Sequence, residues 1–118
     1  MDTFTVQVFP VAKSAEWRSF ITSVESGDRA DGHRQMLRRL GIKREHIFTQ
    51  SAPEGDVMVL VWEGVDQGRV GELMADMLQN PQSDHERYVG TYVIPTLHGV
   101  DPTAGPPPMT ERVATIEP

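Results

Sequence analysis

The stretch Asp56–Glu63, DVMVLVWE, constrains the fold more than any other, because it is apolar on both alternating faces. Val57, Val59 and Val61 fall on one face, and Met58, Leu60 and Trp62 on the other. A strand of that kind is a central strand covered on both sides. A chain of 118 residues is one domain whose own helices cover one side. A partner subunit is the economical cover for the other, so the sequence predicts a homodimer through the open sheet face.

The rest of the chain arranges itself around that strand. Thr3–Val11 reads as a first strand, with Phe4, Val6 and Val8 on one face and Thr5, Gln7 and Phe9 on the other. Ser14 offers an N-cap to a helix whose Trp17, Phe20, Ile21 and Val24 recur at three- and four-residue spacing, ending near Glu25. Ser26-Gly27-Asp28 breaks it. A second helical piece over 29–40 turns Met36, Leu37 and Leu40 inward before Gly41 stops it, giving two helices or one bent element. Glu45–Ser51 is a more polar strand, nearer an edge, that pairs with the Asp56 strand as a hairpin across Ala52–Gly55. Asp66–Asn80 is a further helix with Asp66 as N-cap.

The stretch after Ser83 carries conflicting signals. Ser83 followed by Glu86 is a capping-box pattern, whereas Tyr88–Ile94 is rich in strand formers. The spacing of Tyr88, Val89, Tyr92, Val93 and Leu97 favours a helix from Asp84 to Leu97, kinked by Pro95 and closed at His98-Gly99. Asp101–Met109 is a Pro/Gly connector, and Thr110–Ile116 alternates as a final strand.

Composition removes several function classes. A formal charge of −6 argues against nucleic acid as the main partner, since phosphate binding needs a concentrated cationic surface. The basic cluster Arg34, Arg38, Arg39, Lys43 and Arg44 lies at a helix C-terminal end, where cations suit the macrodipole. With no Cys, thiolate chemistry is excluded; without a signal-like or membrane-length apolar run, the expectation is a cytoplasmic protein with no membrane partner. There is no HxxxH or HxH spacing for a metal and no glycine-rich phosphate loop, so neither metal nor nucleotide cofactor is expected.

The order β, α, β, β, α, then an extra helix and β, is the split βαβ pattern of a ferredoxin-like α+β sheet with helices on one face. Through FTVQVFPV, the EHIFTQ and DVMVLVWE hairpin and the LHGVDP to PPPMTERV tail, the chain resembles the dimeric α+β barrel superfamily, and within it a small uncharacterised bacterial family. That resemblance covers nearly the whole chain and carries no catalytic signature. It implies a single dimeric α+β barrel domain, 1–118, in a superfamily that includes cofactor-free monooxygenases, polyketide cyclases, haem-degrading enzymes and proteins without known activity.

Four histidines, His33, His46, His85 and His98, are the acid/base candidates. His46 in an edge strand and His33 on an arginine-rich helix are expected to face solvent, and His98 to cap a helix. His85, in the first turn of a helix whose dipole disfavours its charged form, is the candidate catalytic base, with Tyr88 or Trp62 as hydrogen-bond donor. Trp17, Met58, Trp62, Met74 and Tyr92 are candidates to line a pocket for a hydrophobic, aromatic or polyketide-like ligand, or simply to form core. Two readings follow: a small cofactor-independent enzyme of monooxygenase, cyclase or isomerase type, as in secondary metabolism, and a non-catalytic dimeric ligand-binding protein. Haem held through His33 or His85 is a weaker third.

Overall fold

Gly55–Glu63 forms the central strand, β3, of a three-stranded antiparallel sheet flanked by β1 (Phe4–Val11) and β2 (Arg44–Ala52), in the order β1-β3-β2. The computed structural model describes residues 3–104 and 110–118. Register decides which side chains share a face: Gln7 and Phe9 of β1 stand opposite Leu60 and Met58, while Val6 and Val8 stand opposite Val61 and Val59.

The first of these faces is covered. α1 (Ser14–Glu25), α2 (Ala30–Arg39), α3 (Val70–Gln79) and α4 (Asp84–Tyr88) supply the cover, and α4 runs on as a π-helix over Val89–Leu97. Trp17, Met36, Met77 and Leu97 from these helices share one core with Met58, Leu60 and Trp62. The chain is therefore α+β, with an antiparallel sheet and its helices on one side.

β1 turns its more polar face inward. Thr5 and Gln7 are buried, and Thr5 Oγ1 and Gln7 Nε2 find no hydrogen-bond partner among the described residues. Phe4 and Val8 point the other way and are 39% and 46% exposed, beside Phe48 of β2 at 56%.

Local chemistry accounts for the helix ends. Ser14 is the first residue of α1 rather than its cap: Lys13 holds the cap position, and Ser14 Oγ donates to Asp56 Oδ2 at 2.6 Å, tying α1 to β3. Asp66 caps a short 3₁₀ turn, Gln67–Arg69, through Gly68 N–H, and α3 follows at Val70. Ser83 Oγ accepts from Glu86 N–H at 3.1 Å, while the Glu86 carboxylate accepts from Gln82 N–H rather than from Ser83 itself. Arg39 is no solvated helix end: it donates to Asp76 and to the Asn80 carbonyl, and stands 3.7 Å from Glu86.

Pro95 is accommodated in a helix that widens around it. Longer-reach bonds, His98 N–H to the Val93 carbonyl and Val100 N–H to that of Ile94, replace the α-helical ladder that a proline ring would obstruct. The wider turn brings Val93, Ile94, Leu97 and His98 inward. Gly99, at φ +70°, then ends the element in the left-handed conformation that glycine adopts without strain.

The expected final strand does not form: Thr110–Pro118 carries no regular secondary structure. Among the described residues, its hydrogen bond to β1 lies at its start. Thr110 Oγ1 donates to the Val6 carbonyl, Gln67 Oε1 accepts from Val6 N–H at 3.2 Å, and the Arg112 guanidinium lies 4.5 Å from the Phe4 ring centroid. Side chains thus occupy the outer edge of β1 at Val6, while Val113 and Ile116 are almost fully exposed. Residues 105–109 of the expected connector lie outside the described residues. Among the described residues no helix is long and apolar enough to cross a membrane.

Candidate active site beneath the sheet

Glu45 and Trp62 are direct cross-strand neighbours on the inward face of β2 and β3. The Trp62 indole Nε1–H donates to Glu45 Oε2 at 2.8 Å. The other carboxylate oxygen meets His33 Nε2 at 2.6 Å, and His33 Nδ1 meets His85 Nε2 at 3.0 Å. While His33 is neutral and its Nε2–H donates to the carboxylate, its Nδ1 keeps a lone pair that accepts from His85 Nε2–H. The free lone pair of His85 then sits on Nδ1. That atom is buried and has no partner among the described residues.

Packing holds this chain of three groups in place. His33 lies on the buried side of α2 with Ala30 and Met36. His85 stacks parallel to Phe20 at 6.3 Å and rests on Gly32, where a Cβ would meet His85 Cβ at 3.1 Å. Glycine at 32 therefore lets α2 approach α4 closely enough for the two imidazoles to touch. Burial, and next the charge that His33 carries when protonated, push the His85 pKa down to about 4, so its imidazole is neutral at pH 7.

In front of Glu45 and His33 lies a cavity of about 80 Å³ whose wall is almost wholly apolar, formed by residues such as Phe9, Met58, Leu60, Met77 and Val93. Half-buried Phe20, Ile21 and Met74 also line it, and a flexible Met side chain adapts readily to an incoming group. His33 and Glu45 break the wall on the β2 side. His98 breaks it near Phe9 and Trp17, at ring distances of 5.7 and 6.4 Å.

Trp17, Met58, Trp62 and Met74 stand in the cavity wall. His85 stands behind His33 and does not line the cavity, and neither do Tyr88 and Tyr92. Tyr88 lies under the Arg29 guanidinium, 3.6 Å from its ring centroid, and the Tyr92 hydroxyl donates to the Glu16 carboxylate. His46 sits on the open sheet face, 2.6 Å from Glu63 Oε2. His33 departs from expectation: it is buried, because it precedes Met36 and Leu37 by helical spacings and shares their face. His98 does end its helix, but its side chain also ties the helix to β1, with Nδ1 2.8 Å from the Pro10 carbonyl.

Sequence reasoning missed Glu45, His33 and His98 as parts of one site. The available signal was phase: Glu45 alternates with Ile47, placing both on the same face of β2. Among the described residues no group of three or more His, Asp or Glu side chains is arranged to hold a metal ion. In this cluster the nitrogens and carboxylate oxygens are directed at one another, not at a common centre. Comparison of the chain with protein-family models, curated proteins and solved structures found no match.

Proposed function

We propose that the protein binds a small, largely apolar ring compound in the cavity beneath its sheet and moves a proton on it without metal or nucleotide. One observation carries this reading: a paired carboxylate and imidazole, Glu45 and His33, stand in the wall of a largely apolar cavity. Burying such groups costs several kcal/mol unless they are paired, and a titratable pair kept in an apolar pocket is a physical mark of a working site. Glu45 is the group that meets a ligand. His33 and Trp62 fix its two oxygens, and His85 holds the His33 ring in its tautomer. The base role thus passes from His85, which stands behind His33, to the carboxylate. In chemical class this is an isomerase, cyclase or monooxygenase type of reaction on an aromatic or polyketide-like substrate.

The resemblance to dimeric α+β barrels belongs to the same proposal. A β1-β3-β2 antiparallel sheet with helices between β1 and β2 and after β3 is consistent with the first βαββα of a ferredoxin-like fold. An open face bearing Phe4, Val8 and Phe48 supports a homodimer through that face.

Proton exchange tests the chemistry without knowledge of the natural substrate. In D2O, small cyclic 1,3-diketones and enones should lose their acidic C–H signals faster with protein than with buffer, and Glu45→Gln should abolish the acceleration. Absence of acceleration across the panel, with binding retained, would leave a ligand-binding protein without catalysis. The cavity is about half the size of one of about 150 Å³ that takes benzene, so under either reading a ring enters only as the half-buried Phe20, Ile21 and Met74 side chains move.

A further inference from the structure

We infer that His98 is a second polar end of the cavity, the acceptor for a hydroxyl group, and that the ligand is therefore a neutral phenol or enol rather than an acid. This rests on the reading of the cavity as a ligand site. The π-helix end places the His98 ring in the cavity wall, and the Nδ1 contact with the Pro10 carbonyl fixes the tautomer, because a carbonyl can only accept. The lone pair is therefore on Nε2, which takes no hydrogen bond among the described residues. Burial lowers the pKa of His98, which keeps that lone pair available at neutral pH.

The two polar ends are separated along β3. His98 packs by Phe9, which stands opposite Met58, whereas Glu45 stands opposite Trp62. Met58 and Trp62 share a face with only Leu60 between them, roughly 13 Å of strand at ~3.3 Å per residue. No Lys or Arg lines the wall, and the Trp62 N–H is already given to Glu45. Glu45 and His98 Nε2 accept hydrogen bonds, while Trp17, beside His98 in the wall, keeps a buried Nε1–H with no partner among the described residues, so a group that both donates and accepts, as a hydroxyl does, suits the His98 end. A carboxylate or phosphate would be buried without a cation, at a cost of several kcal/mol. A hydroxyl on an aromatic or enolic ring supplies the donor without charge.

Phenol, toluene and benzoate serve as probes of nearly equal shape. Wild-type protein should bind phenol roughly tenfold more tightly than toluene, the worth of one hydrogen bond of about 1.4 kcal/mol, and should bind benzoate more weakly than either. In His98→Phe the preference should fall below about threefold while toluene binding persists. Because that variant also loses the Pro10 contact, the wild-type protein gives an independent readout: at saturating phenol the His98 Nε2 nitrogen resonance should move upfield as its lone pair accepts a hydrogen bond. Toluene binding with no phenol preference, an unmoved Nε2 resonance, or tight benzoate binding would overturn the role of His98 and leave the cavity reading standing. Failure of both phenol and toluene to bind would overturn both.

Discussion

Replacing Glu45 with alanine strands two donors at once. His33 Nε2–H and Trp62 Nε1–H both point at the carboxylate, and the His33 and Glu45 side chains are only 10% and 9% exposed, so bulk water does not replace it. Each buried donor left unpaired costs about 1–3 kcal/mol. A water entering the enlarged cavity takes up part of that, giving an expected loss of about 3 kcal/mol. At roughly 2.1 cal/mol/K per residue of unfolding entropy, this corresponds to a fall in Tm of about 12 °C for a chain of this length. Glu45→Gln should cost about half as much, because one amide oxygen satisfies one donor while the NH2 group faces the other. Thermal unfolding followed by circular dichroism at pH 7 and fixed protein concentration reads both effects. Combining Glu45→Ala with Trp62→Phe should cost at least about 1 kcal/mol less than the sum of the single changes, since the same bond is removed twice. A Tm loss for Glu45→Ala no larger than that for the exposed Glu54→Ala would refute the buried relay.

Other outcomes follow from the same geometry. The folded state holds His85 near a pKa of about 4 against 6.5 for the free side chain, so as pH falls through that window the unfolded chain takes up the proton first. Stability should therefore be fully present above about pH 6.5 and decline by up to about 3 kcal/mol toward pH 4, and urea midpoints of His85→Phe should fall less steeply over that range. The lowered pKa of His98 acts in the same direction. Among the described residues the specific contacts of 110–118 with β1 are those of Thr110 and Arg112, so deleting the segment should lower Tm by less than about 4 °C; a larger loss would show that it carries a strand's worth of stability. Phe48→Glu, on the open sheet face, should leave the fold intact and give a monomer by light scattering, whereas a wild-type monomer at micromolar concentration would sink the dimer proposal.

What the sequence made legible was what is encoded locally. The doubly apolar DVMVLVWE run marked the central strand, and the Ser83 and Glu86 pattern with the helical spacing of Tyr88, Val89, Tyr92, Val93 and Leu97 pointed to helix over strand for the segment that follows. The last strand was misread because the alternation of Val113 and Thr115 against Ala114 and Ile116 is only a local preference, and strand formation also needs an edge that pairs with it. At Val6 that edge is already engaged by Gln67 and Thr110 side chains. His33 was hidden by its arginine neighbours, although its spacing to Met36 placed it on the buried face. The meeting of Glu45, His33 and His85 depends on how α2, α4 and β2 pack, and on Gly32 allowing the approach. No spacing within one segment encodes it.

The protonation state of the histidines, read from long-range proton–nitrogen NMR spectra of labelled protein between about pH 5 and pH 7.5, tests the site most directly. The expected spectrum shows His85 neutral throughout, with its proton on Nε2 and its lone pair on Nδ1, and His98 neutral at pH 7 with its proton on Nδ1. A His85 that is charged at pH 6.5, or that carries its proton on Nδ1, would contradict the Glu45–His33–His85 chain on which the proposed chemistry depends.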